Sequence, residues 1–177
     1  SDAFVSAAAS DSRAQSIAPG TYKLRSGMSA ASAISLLLDP TSRDVKRLVI
    51  PEGWRADKIL ATASKVTGIP LDELKASFSH ASDLGLPAYA KGNAEGFLFP
   101  ATYELAPKAT ADDVIQAMIT RFNNEADSIN LESSSASAGL TPLQVVTMAS
   151  ILEVETPPAV YAKGARVLYN RLARHMR

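Results

Sequence analysis

The stretch Thr147-Met148-Ala149-Ser150-Ile151-Leu152-Glu153-Val154-Glu155-Thr156 sets two carboxylates at the end of a run that is otherwise almost wholly apolar. Read as a helix, it brings Val146 and Ala149 onto the face of Glu153. A carboxyl group on such a face is costly to ionise, which makes Glu153 a candidate proton donor near neutral pH. The helix shows little polar surface and is expected to be buried on most sides. Glu155 follows two residues later, about 200° further round the helix. The two carboxylates cannot enter one pocket, so one acts and the other caps or braces.

The remaining reactive side chains exclude several chemistries. His80 and His175 are the only imidazoles and no motif joins them, which argues against a Ser-His-Asp triad or a zinc site. There is no cysteine, so disulfides and thiolate metal centres are excluded. No Gly-rich phosphate loop or dinucleotide fingerprint occurs. The sequence therefore implies no cofactor and no metal. Glu95-Gly96-Phe97-Leu98-Phe99-Pro100 joins aromatics and a glycine to a carboxylate. Aromatic faces suit the apolar C–H faces of sugar rings, and a buried extended core segment is the other reading. Lys163, Arg166, Asn170, Arg174 and Arg177 recur at helical steps and read as a solvated face. Asn170, between Tyr169 and Arg171 beside an apolar stripe, stands apart from it.

These residues need a scaffold, and 177 residues at 46% hydrophobic can build one good core. Lysine plus arginine equals aspartate plus glutamate at 18 each, so no global charge points to nucleic acid. No apolar run reaches the roughly 18 residues of a membrane-crossing helix. The opening Ser1-Asp2-Ala3-Phe4, without methionine, reads as a fragment or a processed form.

Along the chain, residues 1–19 hold a short helix and Gly20 to Arg25 alternates like a strand. Ser29 caps a helix to Leu38, which Asp39-Pro40 stops. Lys46 to Ile50 is a strand, ended by Pro51-Glu52-Gly53. Helices are predicted from Arg55 to Thr67 and around Leu71 to Phe78. Residues 80–96 are loop, and Phe97 to Leu105 is extended. Thr110-Ala111-Asp112-Asp113 opens a helix with Val114, Ile115, Met118, Ile119 and Phe122 inward. Residues 127–139 form a Ser-rich loop. Thr141-Pro142-Leu143-Gln144 caps the Glu153 helix, Pro157-Pro158 ends it, and a last helix runs from about Val160 with Tyr161, Ala165, Leu168 and Leu172 on one stripe. The class is α+β, a small mixed module ahead of a mainly helical one.

Four of these stretches, in order, resemble the YceG-like family of endolytic murein transglycosylases. They are Gly20-Thr21-Tyr22 with Gly27-Met28-Ser29; Pro51-Glu52-Gly53; Glu95 to Pro100 with Thr102-Tyr103; and Met148 to Thr156 with Tyr169-Asn170-Arg171-Leu172. The resemblance implies a LysM-like module over residues 1–50. It implies part of a lysozyme-like catalytic domain over 51–177, the family's domain continuing past the Asn-Arg-Leu motif. It assigns Glu153 as the single general acid/base, cutting the bond between N-acetylmuramic acid and N-acetylglucosamine without water to leave 1,6-anhydro ends. Asn170, Glu95, Tyr103 and Glu155 become expected substrate-binding residues. The implied partners are peptidoglycan glycan strands and cell-wall synthesis proteins. The implied location is the extracytoplasmic side of the bacterial cytoplasmic membrane, held by an anchor ahead of Ser1. A glycan-binding or scaffold module without turnover is the alternative, and a hydrolytic muramidase using Glu155 or Glu52 is a third reading.

Overall fold

A computed structural model describes residues 2–174. The chain is mixed α+β and mainly helical, with one two-stranded sheet among the described residues. It divides into two compact units. One comprises the residues up to Arg47 together with Glu104–Ala109, the other Leu48–Tyr103 and the chain from Thr110 onward.

In the first unit, α1 (Asp2–Ser10) precedes α2 (Ala30–Leu38). Ser29 caps α2 by accepting the Ser32 N–H at 3.2 Å, and Ala33 and Ile34 are its buried residues. The predicted strand from Gly20 to Arg25 reduces to a single antiparallel bridge between Tyr22 and Arg43. The alternation there has only half a core to serve. Tyr22 is half-buried and its hydroxyl donates to the Ala18 carbonyl at 2.7 Å, whereas Leu24 is 53% exposed. Arg43 and Arg47 both reach the Glu104 carboxylate, at 2.8 and 3.1 Å.

Strand β1 (Lys46–Val49) pairs with β2 (Thr102–Leu105), and the division between units falls within both strands. The predicted extended segment from Phe97 is thus strand only in its last four residues. Phe97 and Leu98 are buried without joining a ladder.

The second unit holds the larger core. Helix α3 (Ala56–Thr67) buries Ile59, Leu60 and Ala63 at helical spacing and ends at Gly68, whose φ of 75° supplies the left-handed cap. Helix α4 (Leu71–Ser79) follows after Pro70. Helix α5 (Ala111–Ser128) opens with a full capping box between Thr110 and Asp113. Its buried face is Val114, Ile115, Met118, Ile119 and Phe122, as the periodicity requires. Phe97 meets Phe122 edge-on with ring centroids 4.8 Å apart.

The Ser-rich stretch is not a loop. Helix α5 runs to Ser128, and α6 (Leu131–Ser137) forms within the stretch, burying Leu131 and Ser135. Its serines turn back on the helix: Ser133, Ser135 and Ser137 donate to the carbonyls of Asn130, Glu132 and Ser133. Hydroxyls that satisfy themselves locally let one apolar anchor hold a short helix.

Helix α7 (Pro142–Glu155) carries Glu153 and α8 (Tyr161–Ala173) follows it. The expected burial of α7 on most sides does not occur. Met148 is its only buried residue, while Ile151 is 41% and Val154 73% exposed. On α8, Ala165 and Leu168 are half-buried, and Tyr161 and Leu172 are exposed. The apolar run on α7 therefore outnumbers the neighbours that cover it. Where the helices meet they meet closely, because Gly164 leaves no side chain between them. No single helix among the described residues is long and apolar enough to cross a membrane; α6 and α7 pass that test only together, across a 91° bend.

Candidate functional site

A cavity of about 420 Å³ in the second unit brings Glu153 together with Glu95, Trp54, Arg55, Phe97 and Ser150. Three pieces of chain build it. The first is the turn Pro51–Gly53, where Gly53 takes φ 71°, leading through Trp54 and Arg55 into α3. The second is the loop from Asn93 to Pro100. The third is one face of α7, on which Val146, Ser150, Glu153 and Val154 stand at helical steps.

The first two pieces are tied by Glu95. Arg55 occupies the N-cap position of α3 without capping it through its side chain. Glu95 supplies the missing acceptor, its Oε1 taking the Ala56 N–H at 3.1 Å. A carboxylate at a helix N-terminus satisfies an orphan donor and meets the positive end of the helix dipole. The Glu95 N–H in turn donates to Asn93 Oδ1 at 3.0 Å. Gly96, at φ 85°, then turns the chain into the buried Phe97.

The third piece is set by the cap of α7. Thr141 Oγ1 accepts the Gln144 N–H at 3.2 Å, and Gln144 Oε1 accepts the Thr141 N–H at 2.8 Å. Proline at the first helical position adds a preset φ. Ser150 Oγ donates to the Thr147 carbonyl at 2.8 Å, so its hydroxyl lies one turn from Glu153 on the cavity face.

The expected shelter of Glu153 is corrected by this geometry. Its side chain is exposed and borders the open cavity. The face around it is apolar in composition but uncovered, so sequence hydrophobicity did not translate into burial. Glu155 is exposed and does not line the cavity, in keeping with its different helical angle. Asn170 is exposed on α8 and is not among the lining residues. Tyr103 belongs elsewhere. It is buried, its hydroxyl donates to the Phe99 carbonyl, and burial pushes its pKa up to about 12. It borders a separate groove of about 690 Å³ along α5, with Thr102, Gln116, Thr120 and Arg121.

Trp54, Arg55 and Ser150 are the cavity residues that sequence reasoning passed over. The signal for the first two was their position directly after Pro51-Glu52-Gly53, and for Ser150 its place three residues before Glu153. His80 makes a surface contact of 3.2 Å with Asp112 and is not a cavity residue; His175 and Arg177 lie outside the described residues. No group of three or more His, Asp or Glu side chains among the described residues could hold a metal ion.

Chemically, the cavity offers one carboxylate bonded to a helix terminus, a second on a helix face shared with Val146, Thr147, Ser150 and Val154, an arginine and an aromatic and aliphatic lining. That set can meet hydroxyl and amide groups at its polar side chains and apolar faces along its lining.

The model of the YceG-like family matches residues 1–177. The endolytic murein transglycosylase of Streptococcus pneumoniae strain D39 is 27% identical over 183 residues, which is 89% of this chain and 33% of that protein. That of strain R6 is 28% identical over 186 residues, with the same coverage. The chain thus spans about a third of the length of these curated relatives. A crystal structure of a yceG-like protein from Listeria monocytogenes has the same fold, at a TM-score of 0.64 and 21% identity. The match covers 88% of this chain and 56% of that one.

Proposed function

The chain belongs to the YceG-like family, and from that premise we propose that it is the glycan-cleaving part of an endolytic peptidoglycan lytic transglycosylase with Glu153 as general acid and base. The observation that carries the reading is the shared cavity: Glu153 borders an open cleft whose other carboxylate, Glu95, is already engaged by the start of α3. Glu153 is the carboxylate of that cleft without such a bond, which favours it for proton transfer. Two relatives named endolytic murein transglycosylase support the substrate class.

A hydrolase adding water needs two carboxylates flanking the bond. A transglycosylase needs one. In the proposed reaction, protonated Glu153 gives its proton to the glycosidic oxygen linking N-acetylmuramic acid to N-acetylglucosamine. The bond from that oxygen to C1 breaks, leaving an oxocarbenium-like or oxazolinium species at the muramic acid. The same sugar's 6-hydroxyl then attacks C1 and loses its proton to the ionised Glu153. A 1,6-anhydro end forms, Glu153 regains its proton, and no water is consumed. Because Glu153 is exposed in the open cleft, the bound strand itself has to exclude water around it. A strand lying in the cavity covers the Glu153 face in just that way. The proposal puts this chemistry on the extracytoplasmic side of the cytoplasmic membrane, where the polymer is laid down. It reads residues 1–50 as a LysM-like module and 51–177 as the catalytic part.

Digestion of purified glycan strands by the whole protein, followed by mass spectrometry of the chain ends, tests this. Anhydromuramic ends are expected, and reducing muramic ends would defeat the lyase assignment. The exposure of Glu153 favours a second reading, a glycan-binding module without turnover. Equal retention of wild type and Glu153→Gln on insoluble peptidoglycan, with no product from either, would select it.

A further inference from the structure

One wall of the cavity takes no part in this proton transfer. Trp54 is the only tryptophan in the chain, it is half-buried, and it lines the same cavity as Glu153. Its backbone leads directly into α3, whose first amide Glu95 holds, so its position is fixed by the contact that ties two walls together. Its ring is fixed as well. The Lys58 ammonium lies 3.8 Å from the indole centroid. A cation at that distance lies over one ring face and restrains the indole, so a sugar stacks on the opposite face or takes the ammonium's place. Phe97, Leu98 and Pro100 continue the apolar lining. An indole combines a large, rigid apolar face with a polar N–H edge. Half-burial beside an open, polar-rimmed cavity fits a surface held ready for a flat apolar face. The C–H face of a β-linked pyranose is such a surface, while its hydroxyl and acetamido groups project sideways to polar partners such as Arg55 and Ser150.

We propose that Trp54 is the sugar-stacking platform of this cavity, holding one N-acetylhexosamine ring of a glycan strand so that the adjoining glycosidic oxygen comes to Glu153. The inference rests on the reading of the cavity as a glycan cleft. It adds the residue that grips the strand and the part of the sugar it grips. Trp54 is a binding residue here; the proton chemistry stays with Glu153.

The single tryptophan makes the test direct. The 177-residue chain is titrated with a tetramer of β-1,4-linked N-acetylglucosamine while indole emission is followed. A saturable emission change is expected. Calorimetry with the same tetramer then compares wild type, Trp54→Phe and Trp54→Ala, with circular dichroism verifying that each is folded. The alanine variant is expected to bind about two- to tenfold more weakly, the range an aromatic contact is worth, and the phenylalanine variant to fall between. Should Trp54→Ala not fold, Trp54→Phe against Trp54→Leu makes the same comparison. A wild type that shows no saturable response, or folded variants with wild-type affinity, would overturn the platform. Product analysis on glycan strands keeps the two readings apart. Trp54-dependent binding without anhydro ends from wild type retains the platform and removes turnover. Anhydro ends from wild type, with an unchanged KM in Trp54→Ala, retain turnover and remove the platform.

Discussion

Glu95 Oε1 accepts the backbone N–H of Ala56 at 3.1 Å, so a cavity residue contributed by one loop serves as the N-terminal cap of a helix 39 positions earlier in the chain. The bond decides what Glu95 does. One of its oxygens is tied to the start of α3, and through α3 to the loop that carries Trp54 and Arg55 into the cavity.

Replacing Glu95 with alanine should therefore act on stability and shape before it acts on chemistry. Loss of a cap costs about 0.5–2 kcal/mol. Glu95→Ala is expected to fall in that range in urea unfolding, whereas Glu95→Gln, which keeps an acceptor oxygen, stays close to wild type. Turnover should follow stability: retained in the glutamine variant and weakened in the alanine variant through displacement of the Trp54 loop. A glutamine variant as inactive as one lacking Glu153 would make Glu95 a second acid and point to hydrolysis instead.

Glu153 should show the opposite pattern. It is exposed and makes no fold-stabilising contact that the structure records, so Glu153→Gln is expected to shift unfolding by less than about 0.5 kcal/mol. General acid–base help is worth about 100- to 10,000-fold, and the variant should lose activity on that scale. Anhydro-end release and a melting curve, measured on the same preparation, check both halves.

The contrast between these two residues shows what could be read in advance. Helix starts were legible because their signals are local: Thr110 and Asp113, or Thr141 and Gln144, satisfy each other within four residues. The core face of α5 was legible because periodicity alone decides it. The Gly20–Arg25 strand was not, since a ladder needs a distant partner and only Arg43 provides one bridge. Helix α6 was hidden because serine composition reads as loop unless the hydroxyls' own bonds to the preceding turn are known. The surroundings of Glu153 depend on which neighbours cover α7, and the cap made by Glu95 on how a loop folds back on α3. Neither leaves a mark in residue spacing.

The stability profile with pH should carry two separable limbs. Hydrogen bonds from Arg47 and Arg43, with their positive charge, hold the Glu104 carboxyl below the ordinary glutamate range. A depressed carboxyl contributes stability above its unfolded pKa and loses it as pH falls through the folded one. Acid unfolding should therefore begin below about pH 4.3 and be shallower in Glu104→Gln. Burial raises Tyr103 to about 12. A raised phenol contributes fully below the unfolded value, and that contribution is lost between roughly pH 10 and the folded value. Tyr103→Phe should flatten this alkaline limb. At neutral pH it should cost about 1 kcal/mol for the lost bond to the Phe99 carbonyl. Urea titrations at a series of pH values would show both limbs.

The contact between α7 and α8 gives the most local prediction. A Cβ at Gly164 would lie 2.6 Å from Leu152 Cδ2 and 3.2 Å from Thr156 Cγ2. Alanine is the better helix former by about 1 kcal/mol. Forcing a methyl into a filled contact costs about 1–3 kcal/mol. Leu152 Cδ2 can rotate away, but Thr156 is held in place: it is the C-cap of α7 and its hydroxyl donates to the Leu152 backbone carbonyl at 2.8 Å. The clash should therefore win, with Gly164→Ala destabilising by up to about 2 kcal/mol. It should also displace the last turn of α7, next to Glu153. Shortening Leu152 removes the nearer obstacle. Gly164→Ala should then cost less in a Leu152→Ala background than in wild type, a favourable coupling that a double-mutant cycle reads directly. Additive effects would mean that the helices do not approach as closely as Gly164 permits, and the same cycle read through turnover would show whether that approach also sets Glu153 in place.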